Sequence, residues 1–401
     1  MLHERERLLD TAKLVSLHDG GISVLSTSRG EKILRTFFFL VILVHGVIHL
    51  FAFLNAHDII HFKRLTQPIS RRAGAIWLSC SLLFVTAAFL YLLSQDYWWM
   101  IGIPAILLSQ TMIFLSWSDA KFGTIATVIV LVPFVMAIAD ALPGSFRNIY
   151  KEEAQAGISR LGPLPLISDK DIQPLPAPVQ KYLRYAGVVG KPIVRNFRAT
   201  FMGQFRRTVE SGWMVFSAQQ YDFFDNLTRV FFIKSSVFGI PFEGLHLYRG
   251  NSATMQIKVA SLFEIVDAMG DTMTRSETVT LFNDMCIMAP ATLIDTTIHW
   301  QLIDSLSAIG IFTSHGMTIS AVLYFDEEGR LVNFSSDDRF LSADGITYQN
   351  YRWTTPLDNY KDFDGRNVAT HAELIWHLPG DEFVYGKFDL MSVEYNCREF
   401  K

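Results

Sequence analysis

The chain has 401 residues, half of them hydrophobic and only 18% charged, with a formal net charge of −4. The length accommodates two domains, and the absence of any dense Lys/Arg block excludes nucleic acid, whose phosphates demand a basic footprint. Three cysteines, Cys80, Cys286 and Cys397, are too few for a disulfide framework, although the last two could pair.

The apolar excess is concentrated between Ile33 and Leu142. Residues 1–32 read as a polar N-terminal tail, and residues 33–145 as a four-helix transmembrane domain. A bilayer core needs about 20 apolar residues per helix, and the stretches 36–56, 73–93, 98–117 and 122–142 qualify. Gln67-Pro68 and Arg71-Arg72 precede the second stretch, and Tyr97-Trp98-Trp99 suits the headgroup layer. Pro104 and Pro133 fall inside spans, where membrane helices tolerate proline. The first span starts too late and is too long for a cleaved signal peptide. The chain is therefore expected in a cell membrane, as a multi-pass protein whose partner is the lipid bilayer. The side that the C-terminal half faces is undecided: Lys63, Arg64, Arg71, Arg72 and Lys121 on one side nearly balance Arg29, Lys32, Arg35, Arg147, Lys151 and Arg160 on the other.

His45 and His49 stand four apart, on one face of the first span. Ionisable groups inside a membrane are costly and often functional. The pair is a candidate cofactor or proton site, or else two neutral rings bonding neighbouring helices. No particular cofactor is legible.

Residues 146–191 read as connecting helices and linker: a short charged helix near 146–158, Gly162-Pro163-Leu164-Pro165, and a helix near 179–185 carrying Lys181 and Arg184. From Pro192 the period becomes two. Residues 192–401 form a mainly antiparallel β domain of ten to twelve strands, with hairpin turns at Asp326-Glu327-Glu328-Gly329 and Pro379-Gly380-Asp381-Glu382. One helix is inserted near 276–288, capped by Ser276 and stopped by Pro290. Val279, Phe282 and Cys286 line one of its faces and Leu281 and Met288 another, so it is expected to be buried on both sides. An open or half-closed barrel wrapped around a few helices fits; so does a sandwich.

Several runs carry a resemblance. They are Leu175-Pro176-Ala177-Pro178-Val179-Gln180-Lys181-Tyr182-Leu183-Arg184-Tyr185-Ala186-Gly187, Ser276-Glu277-Thr278-Val279-Thr280-Leu281-Phe282-Asn283-Asp284-Met285-Cys286, Ser336-Asp337-Asp338-Arg339 and Trp376-His377-Leu378-Pro379. In the membrane half His45-Gly46-Val47-Ile48-His49-Leu50 and Ser116-Trp117-Ser118-Asp119-Ala120-Lys121-Phe122-Gly123 join them. Together they resemble an uncharacterised bacterial family of multi-pass membrane proteins with a C-terminal β-rich domain of unknown function. The resemblance implies that architecture and no activity. A fold-level likeness, weaker, is to periplasmic lipoprotein carriers, whose half-open barrel encloses helices and accepts acyl chains.

Alternation over 331–340 puts Asp338 on one face with Val332, Phe334, Ser336 and Phe340, and Arg339 on the other. Asp338 is then an interior acid requiring a partner, and Arg184 or Lys181 could supply it. Over 370–378, His371, Glu373 and His377 share a face, with residue types that zinc accepts but also those of a solvated surface. Glu277 and Asp284 share a face of the inserted helix, beside Asn283, suiting acid–base work or ion pairs with the sheet. No metal site is assigned. The reading that follows is a β domain binding an apolar or amphipathic ligand, such as a lipid, next to the membrane. The candidate ligand-binding residues are Asp338, Arg184, Lys181, Asn283, Asp284, Glu373 and His377. The alternatives are a membrane-bound hydrolase or metal enzyme using Asp338, Glu373 and His377, and a membrane sensor.

Overall fold

A computed structural model describes residues 29–62, 65–160, 162–237 and 240–401. Most of the expected N-terminal tail, and Lys63 and Arg64 of the charge balance, lie outside the described residues. Two compact units divide the chain: a helical one that ends at Ser145 and a sheet unit from Phe146 onward.

The helical unit contains α1 (Arg29–Ala56), α2 (Arg71–Leu92), α3 (Trp98–Leu115) and α4 (Gly123–Ala141). Each is part of a stretch long and apolar enough to cross a membrane. Ser70 caps α2, its hydroxyl accepting from the Ala73 amide at 3.2 Å. All four helices contribute to one core, through Ile42, Phe84, Ala105 and Phe134 among others. Gly102 allows the closest approach: a Cβ there would lie 1.7 Å from the Phe134 ring. Asp119, in the turn between α3 and α4, accepts from the amides of Thr66 and Gln67 at 2.7 and 2.8 Å. It thereby ties the α1–α2 connection to that turn.

The sheet unit opens with α5 (Phe146–Ile158). Phe146, Tyr150, Ala154 and Ile158 recur every fourth residue and are buried, while Lys151 and Glu152 face solvent. The segment is thus amphipathic, and it packs on one face of the sheet against Tyr221, Phe223, Val230, Phe232 and Leu245. After the linker, α6 (Ala177–Tyr185) begins with Pro178 in its first turn and buries Val179, Tyr182 and Leu183.

Among the described residues fifteen strands follow: β1 (Asn196–Phe205), β2 (Met214–Phe223), β3 (Thr228–Val237), β4 (Ile240–Arg249), β5 (Ser252–Val259), β6 (Phe263–Ala268), β7 (Ile298–Asp304), β8 (Ser307–Ser314), β9 (Met317–Phe325), β10 (Leu331–Ser336), β11 (Phe340–Leu341), β12 (Gln349–Asn350), β13 (Arg352–Phe363), β14 (Arg366–Leu378) and β15 (Asp381–Tyr395). Thirteen of them make one sheet in the order β6-β5-β4-β3-β2-β1-β15-β14-β13-β10-β9-β8-β7, and β11 and β12 form a separate pair. The first and last long strands lie side by side at the centre, and two meanders run outward to the free edges β6 and β7. The sheet is not closed into a barrel.

Between the arms, α7 (Asp271–Ile287) carries the chain across. It starts five residues earlier than the apolar pattern indicates, because Asp271-Thr272-Met273-Thr274-Arg275 shows no apolar stripe. Ser276 is therefore inside the helix, where its hydroxyl accepts from the Phe340 amide at 3.1 Å. The helix is buried around most of its circumference, as a helix apolar on two sides should be. Val279, Leu281, Phe282 and Cys286 are fully enclosed, with Phe282 ringed by Phe312 and Phe334. A sheet of this width cannot stay flat. It curls around α7, aided by bulges at Thr200/Phe201 and Leu374/Ile375. Cys286 and Cys397 are free thiols.

Candidate functional site

Alternation fixes what the concave face of the sheet presents. Register places Phe197, Ala199, Phe201, Gly203 and Phe205 of β1 opposite Asp222, Gln220, Ala218, Phe216 and Met214 of β2. Asp222, Gln220 and Ala218 in turn face Arg229, Phe231 and Ile233 of β3. Along β1 burial falls away: Phe197 and Ala199 are fully enclosed beneath α7, whereas Phe205 is half-buried. The same holds across the upper part of this face. Ile233, Phe242, Ile257, Leu374 and Phe388 are all half-buried. Their rings adjoin: Phe205 lies 5.8 Å from Phe216 and 6.0 Å from Phe242, and Phe388 lies 4.6 Å from Phe216. These side chains keep part of their surface accessible and together line an apolar trough on this face. Two hollows elsewhere in this unit are unlike it. One, of about 20 Å³ beside Gly157 and Arg195, has room for a water molecule. The other, about 240 Å³, is bounded by the C-terminal segment Glu394–Lys401.

The trough abuts a buried charge cluster held between α7 and the strands. Arg229 donates from Nε to Asp284 at 2.6 Å and from Nη1 to Glu277 Oε2 at 3.1 Å. His246 Nδ1 meets Glu277 Oε1 at 3.2 Å. Gln220 donates both to Asp284, at 2.7 Å, and to Asp222, at 2.9 Å. Burial works to raise the Glu277 pKa, but His246 and Arg229 prevail and hold it at about 2. Asp222 is fully buried, and among the described residues its Oδ2 has no hydrogen-bond partner. Burial, and then the charge of Asp284, push its carboxyl well above the usual range. Burial lifts Asp284 as well, with Arg229 opposing. Of the two acids, Asp284 has the guanidinium as a direct partner and Asp222 does not, so the charged form is the less favoured at Asp222.

Beside the cluster stands Arg339. Its Nε donates to Thr280 Oγ1 of α7 at 3.2 Å and its Nη1 to the Tyr385 hydroxyl at 2.9 Å. The guanidinium lies 4.4 Å from the Trp353 ring centre and 5.3 Å from that of Trp376.

The residues singled out from the sequence are distributed differently from the expectation. Asp338 is not an interior acid. A bulge between Leu331 and Asn333 turns both Leu331 and Phe334 inward, and β10 ends at Ser336, so the alternation does not reach Asp338. Its carboxylate pairs with Arg275 at 3.1 Å and accepts from the Ser320 amide at 2.8 Å, with 29% of the side chain exposed. Nor do Arg184 or Lys181 partner it. The buried side of α6 is Val179, Tyr182 and Leu183, which turns both cations outward: Arg184 bonds Asp169 at 3.0 Å and Lys181 the Glu327 carbonyl. Glu373 pairs with Lys387 at 2.9 Å. His377 meets Glu382 at 3.2 Å and the Thr354 hydroxyl at 2.9 Å, and His371 meets Asp389 at 2.7 Å. These strand residues form cross-strand pairs on the outer face, apart from Asp338. Among the described residues no three His, Cys, Asp or Glu side chains converge as metal ligands do. Asn283 donates to Thr355 at 3.3 Å, and Asp284 belongs to the buried cluster. In the helical unit His45 and His49 both meet the Ser109 hydroxyl, at 3.3 and 2.8 Å.

Asp222, Arg229, His246 and Arg339 are not among the candidates that the sequence singles out. The run from Thr228 gave a signal for the first of the cations: Arg229 shares its period-two face with Phe231 and Ile233, which marks an interior charge. Arg339 was assigned to the outer face by the same alternation that misplaced Asp338.

No curated protein matches the chain. Among solved structures, a domain described as outer membrane lipoprotein-sorting, from Vibrio parahaemolyticus, is 12% identical, covers 50% of this chain and 85% of its own, and superposes with a TM-score of 0.30. A LolA-superfamily protein from Nitrosomonas europaea is 10% identical, covering 54% of this chain and 91% of its own, with a TM-score of 0.32. A DUF1329-family protein from Desulfovibrio piger is 13% identical, covering 55% and 92%, with a TM-score of 0.33. The model of a family of unknown function, DUF6544, matches residues 165–388, more than half of the sequence, and the chain belongs to that family.

Proposed function

We propose that this is an integral membrane protein whose β domain takes up an apolar or amphipathic ligand of the lipid class in the open trough of its concave face. One observation carries the reading: Phe205, Ile233, Phe242, Ile257, Leu374 and Phe388 form a continuous apolar surface that the fold leaves half-buried. Soluble proteins rarely leave connected apolar surface uncovered without a use for it, and binding sites are concave, mostly apolar and largely preformed. The interior beneath α7 is filled, so the ligand lies along the trough and not inside a closed cavity. The four apolar helices, joined to α5 by the short segment 142–145, hold the domain at a bilayer, the source of such ligands.

The test uses the full chain in nanodiscs containing a neutral diacylglycerol with a diazirine in its acyl chain. After illumination, cross-linked peptides should include β1, β4 and β5, and Ile257→Glu should suppress them. Cross-links confined to α1–α4, with none on the sheet, would overturn the proposal.

A further inference from the structure

We infer that the ligand of this trough is an anionic amphiphile and that Arg339 receives its acid group. The inference rests on the trough reading and adds the chemistry of the ligand's polar end. Arg339 is half-buried, and its two hydrogen-bond partners among the described residues, Thr280 Oγ1 and the Tyr385 hydroxyl, are both neutral. Among the described residues no carboxylate lies within ion-pair distance of its guanidinium. Glu277, whose field it feels, already has Oε1 on His246 and Oε2 on Arg229, and Asp284 is likewise bonded by Arg229 and Gln220. Arg339 is therefore not consumed by the buried cluster. A guanidinium has five donors in a planar fork, and two of them account for the contacts named.

Its place on the concave face is what gives the cation a use. Trp353 and Trp376 flank the guanidinium and fix its plane, and Tyr385, which it bonds, stacks on Trp376 at 6.1 Å. One step along β15 from Tyr385 is Gly386. A Cβ there would meet Leu374 at 3.0 Å and Phe388 at 3.3 Å, so the arginine's support runs directly into the trough floor. Arg339 thus marks a polar end to an apolar channel, and a carboxylate or phosphate ester on an acyl chain satisfies both ends at once. A neutral lipid would fill the channel and leave the fork without a charged acceptor.

The test compares three diazirine-bearing probes in nanodiscs on the full chain: palmitic acid, phosphatidic acid and the neutral diacylglycerol. At least one acid should cross-link the sheet about tenfold more than the neutral probe, the ratio expected of one charge-assisted hydrogen-bond set. Arg339→Gln should remove that excess and leave diacylglycerol labelling in place, while Arg339→Lys retains part of it. Which acid gains tells a free carboxylate from a phospholipid headgroup. Equal labelling of the sheet by all three probes, unchanged in Arg339→Gln, overturns the anionic inference and leaves the apolar trough standing. No sheet labelling by any probe overturns the trough itself. Should Arg339→Gln fail to fold, the wild-type ratio of acidic to neutral probe decides alone.

Discussion

Arg229 Nε lies 2.6 Å from Asp284 Oδ2, and both residues are more than nine-tenths buried. This bond pins α7 to β3 at the centre of the sheet unit. Removing one partner of a buried pair leaves an uncompensated charge, which costs roughly 3–5 kcal/mol. Arg229→Met and Asp284→Leu should each lower the thermal midpoint of the purified full chain sharply, followed by β-type circular dichroism. The double substitution should recover much of the loss. Additive losses would mean that the two residues do not act as a pair.

Asp222 gives the fold a pH dependence of defined sign. Its carboxyl is raised in the folded state, first by burial and then by Asp284. The native chain therefore holds a proton that the unfolded chain releases. The stability this contributes is full below about pH 4, the unfolded carboxylate value, and is lost as pH rises through the raised folded value. Glu277 has the opposite sign: held at about 2, it contributes above the unfolded value and loses that as pH falls toward 2. Asp222→Asn keeps the shape of the neutral acid and cannot ionise. Its melting midpoint should exceed that of wild type at pH 8 and approach it near pH 5. A constant offset across that range would show that Asp222 does not titrate between the two states.

For Asp338 the expected effect is small. The ion pair with Arg275 is about one-third exposed on both sides, and such pairs contribute up to about 1 kcal/mol. The Ser320 amide adds one hydrogen bond. Asp338→Ala should lower stability by roughly 1–2 kcal/mol, with Asp338→Asn closer to wild type. A loss as large as that of Asp284→Leu would place Asp338 in the buried network after all.

The membrane helices and the open antiparallel sheet were legible because they rest on repeated signals: apolar runs of fixed length and long period-two stretches. The failures are local. β13 runs through Pro356, a residue that strands admit only at special positions. The strand accommodates it because the β13–β14 ladder skips from Thr354 to Leu357. The early end of β10, at Ser336, released Asp338 from the alternation and left Arg339 bonded to α7. Beyond a strand's end the period of two no longer decides which way a side chain points, and nothing in a single sequence announces where that end falls. Asn283 and Asp284 were legible as candidates, since helical spacing is regular. Their partners Gln220 and Arg229 were not, because which strand crosses the helix is decided by the curl of the whole sheet.

The helical unit permits a final prediction, for His45 and His49. Their rings stand 4.6 Å apart, and both direct Nε2 at one hydroxyl, that of Ser109 on α3. Thr127 of α4 adds a contact to His45 Nε2 at 3.2 Å and also donates to the Gly123 carbonyl at 3.1 Å. One serine can donate to one ring and accept from the other, so the pair is satisfied by helix packing. The Nε2 atoms of both rings are thus engaged in bonds between helices. Ser109→Ala should therefore weaken the contact of α1 with α3, by an amount typical of interhelical bonds in membranes, about 0.6–1.7 kcal/mol. It should be read as a lower melting midpoint of the full chain in detergent. Metal analysis and a visible spectrum of the wild type should show neither bound metal nor chromophore. A stoichiometric metal or pigment that disappears in the His45→Ala, His49→Ala double variant, with Ser109→Ala melting as wild type, would instead make the two histidines a cofactor site.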